Sequence, residues 1–328
     1  MINRFAGIAV GLALAIAAAG CSGAPELLPA TRPLSKEAMM LLGKKGMKPE
    51  APIFVRIFKE ESELEVWKRR DDGHFYHFKT YPICTWSGEL GPKQAQGDRQ
   101  APEGFYTIQK GQMNPNSMFH LAFNLGYPNA YDKAHGRTGS ALMVHGKCKS
   151  AGCYAMTDAL IEEIYALARE SFDGGNASFD VHAYPFRMTD ANMARHRTSK
   201  WFAFWKTMKE GYDYFEQTRQ TPPVLVCGRN YVVNARPVQN ASLRSLDPIA
   251  SCPQLERLAV TPFLPSGDQH VAQVVAPGPK MRAVASIQGA QQAPAPRSVG
   301  SISGLLGGMM SAGAKGSTPA FSFTAPNN

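Results

Sequence analysis

Apolar and charged residues alternate along Ile53-Phe-Val-Arg-Ile-Phe58 and along Glu63-Leu-Glu-Val-Trp67, the period-two pattern of half-buried strands. Asp71-Asp-Gly-His74 is a turn signal, and Phe75 to Tyr81 resumes the alternation with aromatic side chains. Pro102-Glu-Gly104 leads into a strand over Phe105 to Gln109. Ser117 to Leu125 and Ser140 to Val144 give two more, and Phe179 to Tyr184 closes the series before Pro185. Short strands divided by Gly, Pro and Asn turns predict a mainly β domain, a sandwich or barrel.

The period changes twice. Thr157 or Asp158 can cap a helix in which Ile161, Ile164, Tyr165 and Ala168 recur at helical spacing, ended by Asp173-Gly-Gly-Asn176. Ala191 to Phe215 is helical again, and Trp201, Phe204, Trp205 and Met208 form an apolar face suited to docking on the β domain. Val224 to Cys227 and Tyr231 to Val233, around Gly228-Arg-Asn230, read as a hairpin. Beyond Pro265 the chain is rich in Ala, Pro, Gln, Gly and Ser, with too few large apolar side chains to offset its ordering entropy. Ile302 to Met310 is a weak apolar patch within it.

The N-terminus reads as an export signal: Arg4, then an apolar run from Phe5 to Ala19, short for the roughly 20 residues a membrane-spanning helix needs. It ends in Ala18-Ala19-Gly20-Cys21, which resembles a bacterial lipobox and makes Cys21 the candidate for lipidation and membrane anchoring. The expected organisation is a signal peptide over 1–20, a tether over 21–50 with one short helix, a catalytic domain over 51–188, an α-rich extension with a hairpin over 189–262, and a disordered tail over 263–328.

The 328 residues are 44% hydrophobic and 19% charged, enough for a core of ordinary size. The net charge of +9 is scattered, and no aromatic-basic motif accompanies it, so nucleic acid is not an expected partner. Six cysteines occur. Cys227 and Cys252 could close a loop in an oxidising compartment. A Cys148–Cys153 bridge would disable any nucleophile at Cys153, so it is either absent or a redox lock. No Cys-x-x-Cys or His-x-x-x-His pair supports zinc, and no other cofactor is expected.

Candidate chemistry gathers in Leu142-Met-Val-His-Gly-Lys-Cys-Lys-Ser-Ala-Gly-Cys-Tyr-Ala-Met156. A free thiol is mostly protonated at neutral pH and becomes a nucleophile beside an imidazole or a positive field. His145, at the end of a strand, and Cys153, after Gly152, are that pair. A helix starting just after Cys153 would aim its free N–H groups at the thiolate. Ser150 can orient the cysteine loop through its hydroxyl or form a turn. His135 is a candidate substrate contact. Arg137 is either a carboxylate clamp or half of a structural ion pair.

His145-Gly146 followed by Ser150-Ala-Gly-Cys153 resembles the signature of the L,D-transpeptidase (YkuD) family. Pro102-Glu-Gly-Phe-Tyr106, Phe123-Asn-Leu-Gly126, Pro128-Asn-Ala-Tyr-Asp132 and His135-Gly-Arg-Thr-Gly-Ser140, in that order, are similar to its YafK-like branch. The resemblance implies a periplasmic enzyme on peptidoglycan stem peptides, with Cys153 as nucleophile and His145 as general base. It implies oxyanion donors around Gly152, Cys153 and Tyr154; Gly146 joins His135 and Arg137 as a candidate substrate contact. Ala151 and Ala155 stand where the family has histidine and arginine. Three readings follow: transpeptidation at diaminopimelate; an amidase or endopeptidase acting on peptide or protein linked to peptidoglycan; and a non-enzymatic wall-binding lipoprotein.

Overall fold

A computed structural model describes residues 27–238 and 246–264. Cys21, the export signal, the tail beyond 264 and its patch at Ile302 to Met310 lie outside the described residues. In chain order the elements are α1 (Lys36–Lys44), β1 (Ile53–Phe58), β2 (Glu63–Arg69), β3 (Phe75–Pro82), β4 (Thr85–Trp86), β5 (Gly104–Gln109), β6 (Met113–Ser117), β7 (His120–Asn124), α2 (Ala130–Ala134), β8 (Met143–His145), β9 (Tyr154–Ala155), α3 (Asp158–Asp173), β10 (Ser178–Tyr184), α4 (Asp190–Arg195), α5 (Phe202–Thr218), β11 (Val224–Cys227), β12 (Asn230–Val233), β13 (Ala235–Pro237) and β14 (Leu255–Arg257).

Two five-stranded sheets organise the β part. One runs β3-β2-β1-β10-β5 and the other β4-β9-β8-β7-β6. Their inward side chains share one core. Val55 and Ile57 of β1, Val181 of β10 and Ile108 of β5 meet Phe123 of β7, Val144 of β8 and Tyr154 of β9 there. Helix α3 contributes Ile161, Ile164, Tyr165 and Ala168 to that core, the stripe its sequence spacing predicts, and Leu167 besides. Thr157 caps it by accepting from Leu160 N–H.

The outer face of the first sheet is covered by the C-terminal extension. Phe204, Trp205, Met208, Tyr212 and Phe215 of α5 are buried at helical spacing, and Phe58, Phe105 and Tyr184 rise from the sheet to meet the first four. Gly211 is required here, since a Cβ would stand 2.7 Å from the Phe105 ring. Arg56 of β1 joins the layers. Its guanidinium is 2.7 Å from Glu65 and 2.6 Å from Glu216 of α5, beneath the rings of Trp67 and Phe215. Burial favours the protonated Glu65 carboxyl, but Arg56 and Arg187 prevail and hold its pKa at about 2.

Two expected elements differ in extent. The strand expected over 117–125 is β7, which begins only at His120 (φ 72°) after a turn that pairs it with β6, a strand ending at Ser117. The helix expected over 191–215 is α4 and α5, separated by turns around Ser199. Cys227 and Cys252 form a disulfide, and so do Cys84 and Cys148. The Cys148–Cys153 bridge is therefore excluded, and Cys153 is the one free cysteine among the described residues.

Candidate active site

Strand β8 is paired on both sides, antiparallel to β7 and parallel to β9, and His145 is its last residue. The parallel register sets Val144 against Tyr154 and His145 against Ala155. One step back, Cys153 stands opposite Met143, whose N–H lies 3.4 Å from Sγ. That N–H points in the plane of the sheet, so Sγ sits beside the strand at Met143, two positions or roughly 7 Å along the strand from His145. Sγ is also 3.7 Å from Ala141 O.

The imidazole is fixed by its surroundings. Nδ1 is 2.7 Å from Gly146 O, and a carbonyl only accepts, so Nδ1 carries the proton and Nε2 keeps its lone pair. The Phe119 ring lies 4.6 Å away at 39°. Burial holds the His145 pKa below its ordinary 6.5, only partly opposed by Gly146. Burial pushes the Cys153 thiol above its ordinary 9.0, against the pull of Met143 N–H and the Lys93 charge. At neutral pH both groups are uncharged.

The loops are held at their ends. Ser150 Oγ donates to Cys153 O at 2.7 Å, accepts from Gly152 N–H at 3.2 Å and meets Ser87 Oγ at 3.2 Å. The hydroxyl thus ties the cysteine loop to segment 87–103. That segment is anchored by Lys59, fully buried, which reaches Gly91 O at 2.8 Å, Ala101 O at 2.9 Å and Glu103 at 3.0 Å. Gly146 N–H donates to Phe119 O at 3.0 Å, and a Cβ on Gly146 would come within 2.6 Å of Asp158 Oδ1. Lys147 N–H donates to Asp158 at 2.8 Å, and Lys147 Nζ to Met118 O at 2.9 Å. Lys147 and Cys148 are both left-handed, at φ 62° and 49°, and the Cys84–Cys148 disulfide fastens this turn to the end of β3.

Several expected contacts fall elsewhere. Arg137 is buried on Asp132, 2.8 Å away, and stands over the Tyr131 ring, so its guanidinium is committed to a structural pair and not offered as a clamp. The His135 ring lies 4.4 Å from that of Tyr131, tilted by 39°, and its Nε2 meets Arg229 O at 2.8 Å, so the C-terminal hairpin holds it. Gly146 is buried beneath the hairpin tip and presents no surface to a substrate. Tyr154 belongs to the core, its hydroxyl donating to Pro102 O at 2.6 Å. Gly152 N–H is occupied by Ser150, whereas Cys153 N–H has no partner among the described residues. The start of α3 is separated from Cys153 by β9, and its first turn binds Lys147 N–H through Asp158. Phe119, Ser87, Lys93 and Cys84 are the site residues that the motif did not reveal. Each arrives from a loop or hairpin tip without periodicity.

Residues 53–176 match the L,D-transpeptidase catalytic domain, YkuD. Over 205 residues, 62% of this chain and 80% of the relative, the sequence is 47% identical to "Putative L,D-transpeptidase YafK" of Escherichia coli (strain K12). The chain belongs to the YkuD L,D-transpeptidase family. Among solved structures, the helical cell shape determining protein Pgp2 from Campylobacter jejuni is 17% identical, covering 58% of this chain and 80% of that one with TM-score 0.33. Bdellovibrio bacteriovorus Bd1075 is 20% identical, covering 50% and 60% with TM-score 0.29. The mainly β fold and the helix after the cysteine motif are those of a YkuD domain. Among the described residues no helix is long and apolar enough to cross a membrane, and no group of His, Cys, Asp and Glu is arranged to hold a metal ion.

Proposed function

We propose that this YkuD protein is a cell-envelope cysteine acyltransferase. It acts on peptidoglycan stem peptides at diaminopimelate through a thioacyl intermediate on Cys153, in a chain anchored at Cys21. One observation carries the reading. The free thiol sits beside Met143, two residues before His145 on β8, and that imidazole has Nδ1 tied to Gly146 O and no Nε2 partner among the described residues. Rotation about the Cys153 side chain moves sulfur from Met143 N–H toward Nε2. His145 then takes the thiol proton as sulfur attacks the peptide carbonyl, and Cys153 N–H is the nearest open donor for the oxyanion. Collapse expels the amine, which takes the proton from His145, and leaves the thioester.

The test incubates the full chain and its Cys153→Ala variant with tetrapeptide-bearing muropeptides and with muropeptides carrying a linked peptide, read by mass spectrometry. Acyl-enzyme on Cys153 and new cross-links, both lost in the variant, are expected. Release of the linked peptide to water without cross-linking would establish the amidase or endopeptidase reading instead. Identical products from both proteins would end the enzymatic proposal.

A further inference from the structure

The edge of the first sheet is open at one residue. Strand β5 pairs with β10 on one side only, and its residues alternate between groups facing β10 and groups facing outward. Phe105 and Gln109 show which set faces outward. Phe105 N–H goes to Tyr231 Oη at 3.4 Å, Phe105 O accepts from Asn129 Nδ2 at 2.9 Å, and Gln109 N–H goes to Gln112 Oε1 at 2.9 Å. Thr107 lies midway between them in the same alternation. Its main-chain N–H and C=O therefore also point outward, and among the described residues neither has a partner. Side chains stand in for a neighbouring strand at both ends of this edge and leave its centre vacant.

Two open clefts meet at Thr107. One, of about 590 Å³, lies on the outer face of the sheet between Asp180, Tyr214 and Pro223. The other, of about 450 Å³, lies toward Gln112, Asn124 and Leu125. Both are of the size that holds small ligands or a few residues. A strand added at Thr107 would send successive side chains alternately into the two. Among the described residues lining the larger cleft Asp180 is the one carboxylate and none is Lys or Arg, while His182 is buried and uncharged. The Asp180 carboxyl accepts from Thr107 Oγ1 at 2.7 Å and has no cationic partner among the described residues.

We propose that the β5 edge at Thr107 binds an extended polypeptide of a partner by strand addition, with a lysine or arginine side chain seated against Asp180. The site is separate from the thiol and does not depend on the acyl-transfer reading. Charge makes the proposal discriminating. The chain as a whole carries +9, so non-specific attraction would favour an acidic peptide. A preference for a basic one has to come from the cleft.

The test uses the full chain with Cys153→Ala, and fluorescein-labelled Lys-Thr and Glu-Thr hexapeptide repeats followed by fluorescence anisotropy. The Lys-Thr peptide is expected to bind more tightly than the Glu-Thr peptide, and Asp180→Asn to remove that preference. Thr107→Pro deletes the outward N–H, which the β10 ladder does not use, together with the Oγ1 bond to Asp180. Compared with Thr107→Val, which loses only that side-chain bond, it is expected to weaken binding by about tenfold at a similar melting temperature. Should Thr107→Pro not fold, a Lys-Thr peptide N-methylated at alternate amides makes the same cut from the ligand side. Hydrogen exchange of residues 104–109 supplies a second readout, with the Thr107 amide fast in the free chain and slowed by the peptide. Equal affinity for both peptides, or binding indifferent to Thr107→Pro and to N-methylation, would overturn the proposal. So would absence of binding, whether the Thr107 amide is unprotected or already protected by another part of this chain.

Discussion

The resting state of the candidate nucleophile is open to a direct measurement. An imidazolium–thiolate pair would keep Cys153 ionised well below pH 7. The surroundings of Cys153 argue for the opposite, a thiol whose burial lifts it above 9.0 beside an imidazole lowered from 6.5. A thiol at 9.0 is ionised in about one molecule in a hundred at pH 7, and a raised one in fewer. Iodoacetamide reacts with the thiolate, so alkylation of Cys153 should follow a single titration with its midpoint above pH 9. At pH 7 it should be more than about a hundredfold slower than its alkaline limit. The rate is read by mass spectrometry on the peptide carrying Cys153, which keeps Cys21 out of the measurement. His145→Gln should leave the midpoint nearly unmoved, because no ion pair is lost, while abolishing turnover. A fast plateau extending below pH 7, removed by His145→Gln, would refute the reasoning and establish the ion pair.

Four further outcomes follow from the same contacts. Phe119→Ala should admit water to the imidazole and raise its pKa toward 6.5; because the neutral ring is the working form, the acid limb of kcat/KM should move to higher pH. Ser150→Ala leaves Gly152 N–H and Cys153 O without a partner and should lower kcat by about tenfold while Cys153 alkylation is unchanged. Replacing Cys84 and Cys148 together by serine opens a link spanning 64 residues and should cost roughly 4 kcal/mol in urea unfolding. Arg56→Met leaves the buried Glu65 unpaired on one side and should cost about 3–5 kcal/mol; in the unmodified protein the Glu65 contribution is complete above its unfolded value of 4.5 and is lost as pH falls through about 2, which acid titration of the unfolding free energy measures.

The parts legible in sequence were those whose information is local. His145 ends β8 and Cys153 immediately precedes the adjacent β9, with one loop between them, so a short motif carries their relation. The apolar stripe of α3 is likewise complete within one segment. Cys84 was not legible as the partner of Cys148, because 64 residues of sheet had to fold before the two met. Arg137 left two readings open, and only the position of Asp132 decides between them. The β6–β7 turn escaped notice for a conformational reason. His120 takes the left-handed conformation where Gly or Asn is expected, and the run Met118-Phe119-His120-Leu121 carries no turn signal. The interruption before α5 contains neither Gly nor Pro, so apolar spacing ran across it.

That left-handed histidine belongs to a group. Ala141, Lys147 and Cys148 also have positive φ, and with His120 they lie at the ends of β7 and β8 and in the loop that leads to Cys153. Each such residue costs about 1–2 kcal/mol relative to an ordinary conformation, so the arrangement persists only where other bonds over-determine it. Those bonds are present at each position. His120 Nε2 is 2.6 Å from Glu162 of α3, Ala141 O meets Sγ itself, Lys147 is held at both its N–H and its Nζ, and Cys148 is covalently joined to Cys84. Relaxing any of them would shift the Gly146 carbonyl that fixes the imidazole or the Met143 N–H that holds the sulfur. The Cys84–Cys148 disulfide is therefore a condition of the site's geometry as well as of the fold's stability, although neither of its sulfurs takes part in the proposed chemistry.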